Sequence, residues 1–424
     1  MIDDQLLPAA VFLTGAAAFD VISPVIAATG ARLTRCESVH VQYRPATDLV
    51  VRYSADVDRI DGTTETVTLL AATTVNGAPP GTLPVEAVSA GQVMSVGVWK
   101  WPFDPSLSAL SDAVTPHRAA RMFENFLVAP LDIEVVVYRP TERAVVKATD
   151  STGRCAYIKI VAPAAAAPLL ERHRRLADAG LPVPAVIEAD EAAGWIALAE
   201  IEGSTLRELI KRDSPNLPDV GQLVELRQRL TATPAEATVS TRRSRIVDAP
   251  AHAEMLGVVM PELQDRLIVL AAKFSTLVPS SLERNGALVH GDLHEAQLII
   301  VDGTIVGLLD VDDAGAGDPV DDIATLLGHL RYRALATATP ESASRLHAYI
   351  DDLRDAMVAD TAGTGIGPET IDAATAAVLV GLATGPFRIQ MDGWRDVVHR
   401  LLRVVDDLLA PEPGTDEKDL SWAS

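Results

Sequence analysis

The sequence predicts an α+β protein, β-rich up to residue 202 and mainly helical beyond it, and three observations predict that class. Residues 39–53 and 134–148 each read as an apolar strand, a Tyr-Arg-Pro corner and a second apolar strand, the pattern of a β-hairpin. Further strand-like runs follow: Thr66 to Thr73 and Val93 to Trp101 after the first copy, Cys155 to Val161 after the second. From Glu202 to about residue 285, and again from Pro319 to about Ala410, the pattern is helical. At 424 residues the chain is too long for one ordinary core, so two or three packed units are expected.

Taken in order, the apolar run from Leu6 to Ala28 does not read as a secretory leader. Asp3 and Asp4 precede it and the first basic residue is Arg32, whereas a leader needs a positive n-region. Asp20 interrupts it, so a buried strand or helix is expected rather than a membrane span. The hairpin echo suggests two β-rich units in tandem, one a degenerate copy of the other; chance similarity of short strand pairs is the alternative. The stretch Gly97 to Pro105 holds two tryptophans, which either stack on a sugar or fill the core of the first unit, the second being expected. Residues 164–179 are helical and stop at Gly180. A strand returns at Trp195 to Ile201, and Glu202-Gly203-Ser204-Thr205 carries capping chemistry for the next helix. The tail, residues 411–424, looks solvated and mobile.

A formal charge of -22 repels phosphodiester backbones and anionic lipid, so neither a nucleic-acid nor a membrane partner is expected. The same charge favours a cationic substrate, or is simply a solubility trait. The two cysteines, Cys36 and Cys155, are far apart and in no metal-like spacing, which suits free thiols in the cytoplasm.

The chemistry concentrates between Leu288 and Ala324. Leu298 to Val301 and Thr304 to Leu309 are apolar strands joined by Asp302-Gly303, a connection that favours a type I′ hairpin. Val301 then opposes Thr304, Gln297 opposes Leu308, and Asp310 lies just beyond. Gln297 and Asp310 thus end the two strands at one open mouth, able to share a hard cation. Asp292 precedes Gln297 by five residues in a loop opened by His290-Gly291. Phosphoryl transfer needs this set: a carboxylate that accepts the proton of the attacking hydroxyl, and an amide and a second carboxylate on magnesium. His-Gly-Asp alone is usually a loop, and the run Asp310 to Asp313 alone a solvated turn; their conjunction with the spacing and the hairpin decides for a kinase site. His290, Asp318 and Asp322 read as braces of local structure, and His294 has no assigned role.

The segment resembles the aminoglycoside phosphotransferase family. His290-Gly291-Asp292 matches the family's HGD motif, and Asp310 to Ala324 matches its metal-Asp block through Gly317-Asp318-Pro319 and Asp322-Ile323-Ala324. The resemblance extends more thinly over residues 130 to 400. It implies a bilobal protein-kinase-like fold, with a β-rich small lobe, a mainly helical large lobe and ATP at their junction. It further implies that Lys159 holds the ATP phosphates and that Glu171, the carboxylate of the following helix, positions it, unless Glu171 merely pairs with a helical arginine. Ala197 to Ile201 aligns with the inter-lobe hinge, whose Glu200 and Ile201 backbone would meet adenine. Two departures stand out. Gln297 replaces the usual Asn, and the corner Tyr138 to Arg143 stands where a Gly-rich phosphate loop is expected, as in maltokinase- and glucosamine-kinase-like relatives.

The resulting expectation is an N-terminal accessory, cap-like unit over 1–125, a small lobe over 126–202, a large lobe over 203–410 and a flexible tail over 411–424. The activity expected is ATP- and Mg2+-dependent phosphorylation of a hydroxyl on a sugar, amino sugar or aminoglycoside, by a monomer or homodimer. Asp292 is the expected base, and Gln297 and Asp310 the metal ligands. Thr384 to Arg388 and Trp394 are candidates for the acceptor side. The alternative is a pseudokinase that binds nucleotide or a partner without efficient turnover, motivated by Gln297 and the missing glycine loop.

Overall fold

A computed structural model describes residues 6–44, 47–89, 92–235, 244–283, 286–336, 339–388 and 391–410; the expected mobile tail and the Pro45-Ala46 corner lie outside the described residues. The chain divides into two compact units, Met1–Arg175 with Pro184–Glu200, and Leu176–Val183 with Ile201–Ser424.

In the first unit, the apolar N-terminal run forms two helices, α1 (Leu7–Thr14) and α2 (Ala18–Ala27). They lie on an antiparallel sheet of β1 (Arg32–Arg44), β2 (Asp48–Asp58), β3 (Thr64–Thr74), β4 (Leu83–Ser89) and β5 (Gln92–Lys100), ordered β1-β2-β3-β5-β4. The period-two alternation of β2 sorts its faces. Val51, Tyr53, Ala55 and Val57 join Leu13, Val21 and Ile22 of the helices, and the Tyr53 hydroxyl donates to the Leu13 carbonyl at 2.6 Å. Val50 points the other way, to Leu70, Ala72 and Trp99. Trp99 is therefore buried packing, and Trp101 meets Tyr138 edge-on at 4.5 Å.

After α3 (Leu110–Ala113) and α4 (Pro116–Met122), a second sheet follows: β6 (Asp132–Arg139), β7 (Arg143–Thr149), β8 (Cys155–Val161), then α5 (Pro163–Asp178), β9 (Val186–Asp190) and β10 (Trp195–Ala199). Its order, β6-β7-β8-β10-β9, repeats that of the first sheet, with α5 standing where the first has only a loop. One face, with Ala144, Val146, Ile158, Ile160 and Trp195, packs on Leu110 and Phe123; the other, with Val161, Ile196 and Leu198, packs on Ala166, Leu169 and Leu170 of α5. Cys36 and Cys155 are free thiols.

The second unit begins with β11 (Ser204–Thr205) and α6 (Leu206–Lys211), where Thr205 and Glu208 form a reciprocal capping box. Helices α7 (Val220–Ala232), α8 (Arg245–Val259) and α9 (Gln264–Glu283) precede four short strands, β12 (Ala287–Val289), β13 (Leu298–Val301), β14 (Thr304–Leu308) and β15 (Gly315–Gly317). Strands β11, β13 and β14 form one antiparallel sheet, and β12 pairs with β15. Four helices close the unit: α10 (Val320–Ala334), α11 (Pro340–Asp360), α12 (Pro368–Arg388) and α13 (Trp394–Leu409). Helix α12 is long and apolar enough to span a membrane, but 67% of that stretch is buried, as in a core helix.

The β13–β14 hairpin corrects one expectation. Asp302 (φ 47) and Gly303 (φ 75) make the left-handed turn, and Val301 does oppose Thr304. A bulge then shifts the register by one, so that Leu298, not Gln297, opposes Leu308. An extra residue on one strand slides every later pair, and sequence spacing carries no sign of it. Gln297 instead faces Leu309, whose N–H donates to the Gln297 carbonyl at 2.8 Å, so Asp310 follows the cross-strand neighbour of Gln297 directly.

Candidate active site

The loop His290-Gly291-Asp292 between β12 and β13 is held by α10. Asp322, in its first turn, accepts from the His290 N–H at 2.7 Å and the Gly291 N–H at 2.9 Å, one on each carboxylate oxygen. Burial raises the Asp322 carboxyl above its usual value despite these donors. His290 Nδ1 accepts from the Asp292 N–H at 3.2 Å, which leaves its proton on Nε2, donating to the Leu309 carbonyl at 2.8 Å. Because Leu309 also binds the Gln297 backbone, one hydrogen-bonded frame ties the Asp292 loop to the hairpin mouth. Gly291 has φ 79, and a Cβ there would meet the Asp313 carbonyl oxygen at 2.8 Å, so the frame admits no side chain at that point.

Around this frame the predicted residues converge. Asp292 Oδ1 accepts from Arg245 Nη2 at 2.8 Å, and its Oδ2 lies 3.8 Å from His294 Nε2. His294 Nδ1 accepts from the Ala296 N–H at 3.1 Å, and its Nε2 lies 3.2 Å from the Gln297 amide nitrogen. Burial, with the nearby His329, pushes His294 down to about 4, so the ring is neutral near pH 7. Asp310 takes the left-handed region, φ 53 and ψ 52, a costly position for a residue with a side chain and one that clusters at functional sites. The Gln297 amide oxygen and the Asp310 carboxylate are hard donors ending paired strands, a set that fits magnesium.

Behind them lies a group that sequence spacing did not reveal. Glu295 is fully buried; its Oε1 accepts from Arg207 at 2.8 Å and Arg333 at 2.9 Å, and its Oε2 lies 3.5 Å from His329 Nδ1. Burial alone raises this carboxyl, but the neighbouring His329 and the charge of Arg207 hold it well below the usual carboxylate range. The His294 and His329 rings stack 10° from parallel at 4.5 Å, so their lone pairs do not converge on one cation. Two guanidinium groups on Glu295 oppose a cation there as well, and the group reads as a brace beneath Asp292 and Gln297. Arg245 comes from a helix that no motif marks, and its only sequence signal is a position opening α8.

In the first unit, Lys159 is buried in β8, in register with Val145 and Ile196, on the α5 face of the sheet. The structure corrects the pairing expected of Glu171. Helix α5 buries Ala166, Leu169, Leu170, His173 and Leu176, and this spacing turns Glu171 outward, 60% exposed and 3.8 Å from Arg175. Glu200 binds Lys147 at 3.0 Å and Tyr157 at 3.4 Å, and the division between the units falls between Glu200 and Ile201. The corner after Tyr138 is fixed by Asp104, which accepts from the Tyr138 hydroxyl at 2.8 Å and the Thr141 N–H at 2.9 Å. Of the acceptor-side candidates, Thr384 is buried and donates to the Gly381 carbonyl, and Trp394 packs on Phe387 at 5.2 Å; the side chain of Arg388 lies outside the described residues.

Among solved structures, the chain is similar to a thermostable mutant of aminoglycoside phosphotransferase APH(4)-Ia in complex with ADP and hygromycin B. That match has 15% identity and TM-score 0.46, over 71% of this chain and 99% of that one. It is similar to an amicoumacin kinase with AMP-PNP and Ca2+ at 16% identity and TM-score 0.45, covering 70% and 95%, and to a type I macrolide 2′-phosphotransferase at 16% and TM-score 0.39, covering 70% and 99%. No curated protein matches the chain. The family model described as the phosphotransferase enzyme family matches residues 141–359, just over half of the 424, and the chain belongs to that family.

Proposed function

We propose that this small-molecule phosphotransferase moves the terminal phosphoryl group of ATP to a hydroxyl of a sugar, amino sugar or aminoglycoside, with Asp292 as the base. The observation that carries the assignment is the single frame joining Asp292, Gln297 and the residue before Asp310 through His290 and Leu309. In this reading the Asp292 carboxylate orients the acceptor hydroxyl and takes its proton. Gln297 and Asp310 hold magnesium, which supplies neutralising charge to the phosphate oxygens when bound. Lys159, buried in β8, engages the ATP phosphates. The backbone of Glu200 and Ile201 meets adenine. The net charge of -22 supports an amine-bearing acceptor, and the free thiols a cytoplasmic setting.

The test is ADP release from magnesium-ATP with a panel of sugars, amino sugars and aminoglycosides, with Asp292→Asn as control. Turnover with one acceptor, lost in the variant, supports the reading and names the substrate class. Magnesium-dependent ATP binding without turnover on any acceptor would favour the pseudokinase instead.

A further inference from the structure

Arg245 reaches the base from 47 residues upstream and is held there from behind. Asp321 Oδ1 accepts from the Ser244 hydroxyl at 2.9 Å and from the Arg245 N–H at 3.1 Å. Asp321 and Asp322 are neighbours in the first turn of α10, so adjacent carboxylates hold the two halves of one ion pair, Asp321 the arginine and Asp322 the loop of the base. The paired side chains are 21% and 23% exposed, so the pair is partly buried yet open on one side. Asp321 meanwhile is buried, and burial together with the charge of Asp318 pushes it up to about 7. A costly buried acid thus fixes the start of an arginine that is set against the base, which points to placement as the purpose.

We propose that Arg245 is a catalytic arginine that rests on Asp292 and contacts the phosphoryl group during its transfer. The proposal builds on the reading of Asp292 as base. A hydroxyl held by Asp292 attacks the phosphorus directly, so the oxygens in flight pass within a few ångströms of the carboxylate, and of a guanidinium 2.8 Å from it. The planar fork carries five donors, enough to keep one on Asp292 while offering others to phosphoryl oxygens. As the bond from acceptor oxygen to phosphorus forms, the bond from phosphorus to the ADP oxygen breaks, its electron pair leaves with ADP, and the hydroxyl proton passes to Asp292. Protonation removes the charge that held Arg245 while negative charge spreads over the phosphoryl oxygens. The better partner of the guanidinium therefore changes during the step itself.

Calorimetry of the full chain with magnesium-ADP, with and without aluminium fluoride as a mimic of the phosphoryl group in transfer, tests this without knowledge of the acceptor. Aluminium fluoride is expected to tighten ADP binding to the wild type. In Arg245→Ala that gain should fall by about 10²-fold or more, the scale of a lost transition-state arginine, while ADP alone binds as before. Arg245→Lys should recover only part of the gain, because an ammonium lacks the fork. An equal gain in wild type and Arg245→Ala overturns the proposal, as does a variant that loses ADP affinity with and without fluoride alike. Arg245→Gln, closer in length and polarity, replaces the alanine variant if melting shows the latter unfolded. The underlying reading fails separately, in a wild type that binds no magnesium-ADP, or in an Asp292→Asn variant that keeps full turnover.

Discussion

Gly291 sets the tightest condition on the site. At φ 79, with the Asp313 carbonyl 2.8 Å from where a Cβ would stand, Gly291→Ala combines backbone strain with a clash against a main-chain atom. A cost of about 1–3 kcal/mol is expected, read as a lowered melting temperature, with turnover falling too because Asp292 is the next residue. Asp292→Asn should behave differently. Asparagine keeps the shape and an acceptor oxygen but cannot take the proton, so turnover should fall about 10²–10⁴-fold with magnesium-ADP affinity retained. Glu171 shows why a residue is judged by helical phase rather than by nearness in sequence. It is the only carboxylate between Lys159 and Asp178, yet it stands off the face of α5 that packs on the sheet.

At the scale of elements, the first turn of α10 and the β6–β7 corner do the positioning. Asp321 carries a sign that can be measured. Its folded value of about 7 lies above the usual carboxylate value of about 3.9, so between those limits the folded state holds a proton that the unfolded state has released. Its contribution therefore favours folding at low pH and is lost as pH rises from about 4 to about 7. Asp321→Asn should flatten that part of the stability profile, as followed by thermal melts between pH 5 and 8. His294 acts with the opposite sign: at about 4 when folded, it stays neutral while the unfolded ring takes a proton, so its contribution is lost as pH falls from about 6.5 to 4. At the other element, Asp104 accepts from Ser106, Leu107, Tyr138 and Thr141, joining the segment after the first sheet to the corner of the second. Asp104→Ala strands several donors, and a loss of about 2–4 kcal/mol is expected in denaturant unfolding of the first unit. Tyr138→Phe, which removes one of these bonds, should cost about 1 kcal/mol.

At the scale of the whole molecule, an α+β chain made of two compact units carries a formal charge of -22. Self-repulsion on that scale is screened by salt, so melting temperature should rise between about 10 mM and 150 mM ionic strength; a flat response would show that the acidic residues are already compensated locally. Much of the architecture was legible from local pattern alone. The strands of both sheets other than β4 and β9, the stop at Gly180, the capping at Thr205 and the turn at Asp302-Gly303 each follow from residues a few positions apart, because hairpins, caps and turns are closed by near neighbours. The closeness of Asp292, Gln297 and Asp310 was legible for the same reason, since one loop and one hairpin in a continuous stretch carry all three. Other features were decided only in three dimensions. The bulge that moves Gln297 from Leu308 to Leu309 depends on how the strands settle against the rest of their unit, and the outward turn of Glu171 on which face of α5 meets the sheet. The approach of Arg245 to Asp292, and of Arg207, His329 and Arg333 to Glu295, joins segments far apart in the chain. Such contacts form because packing the core brings distant helices together, and no short-range pattern records which side chains will then meet.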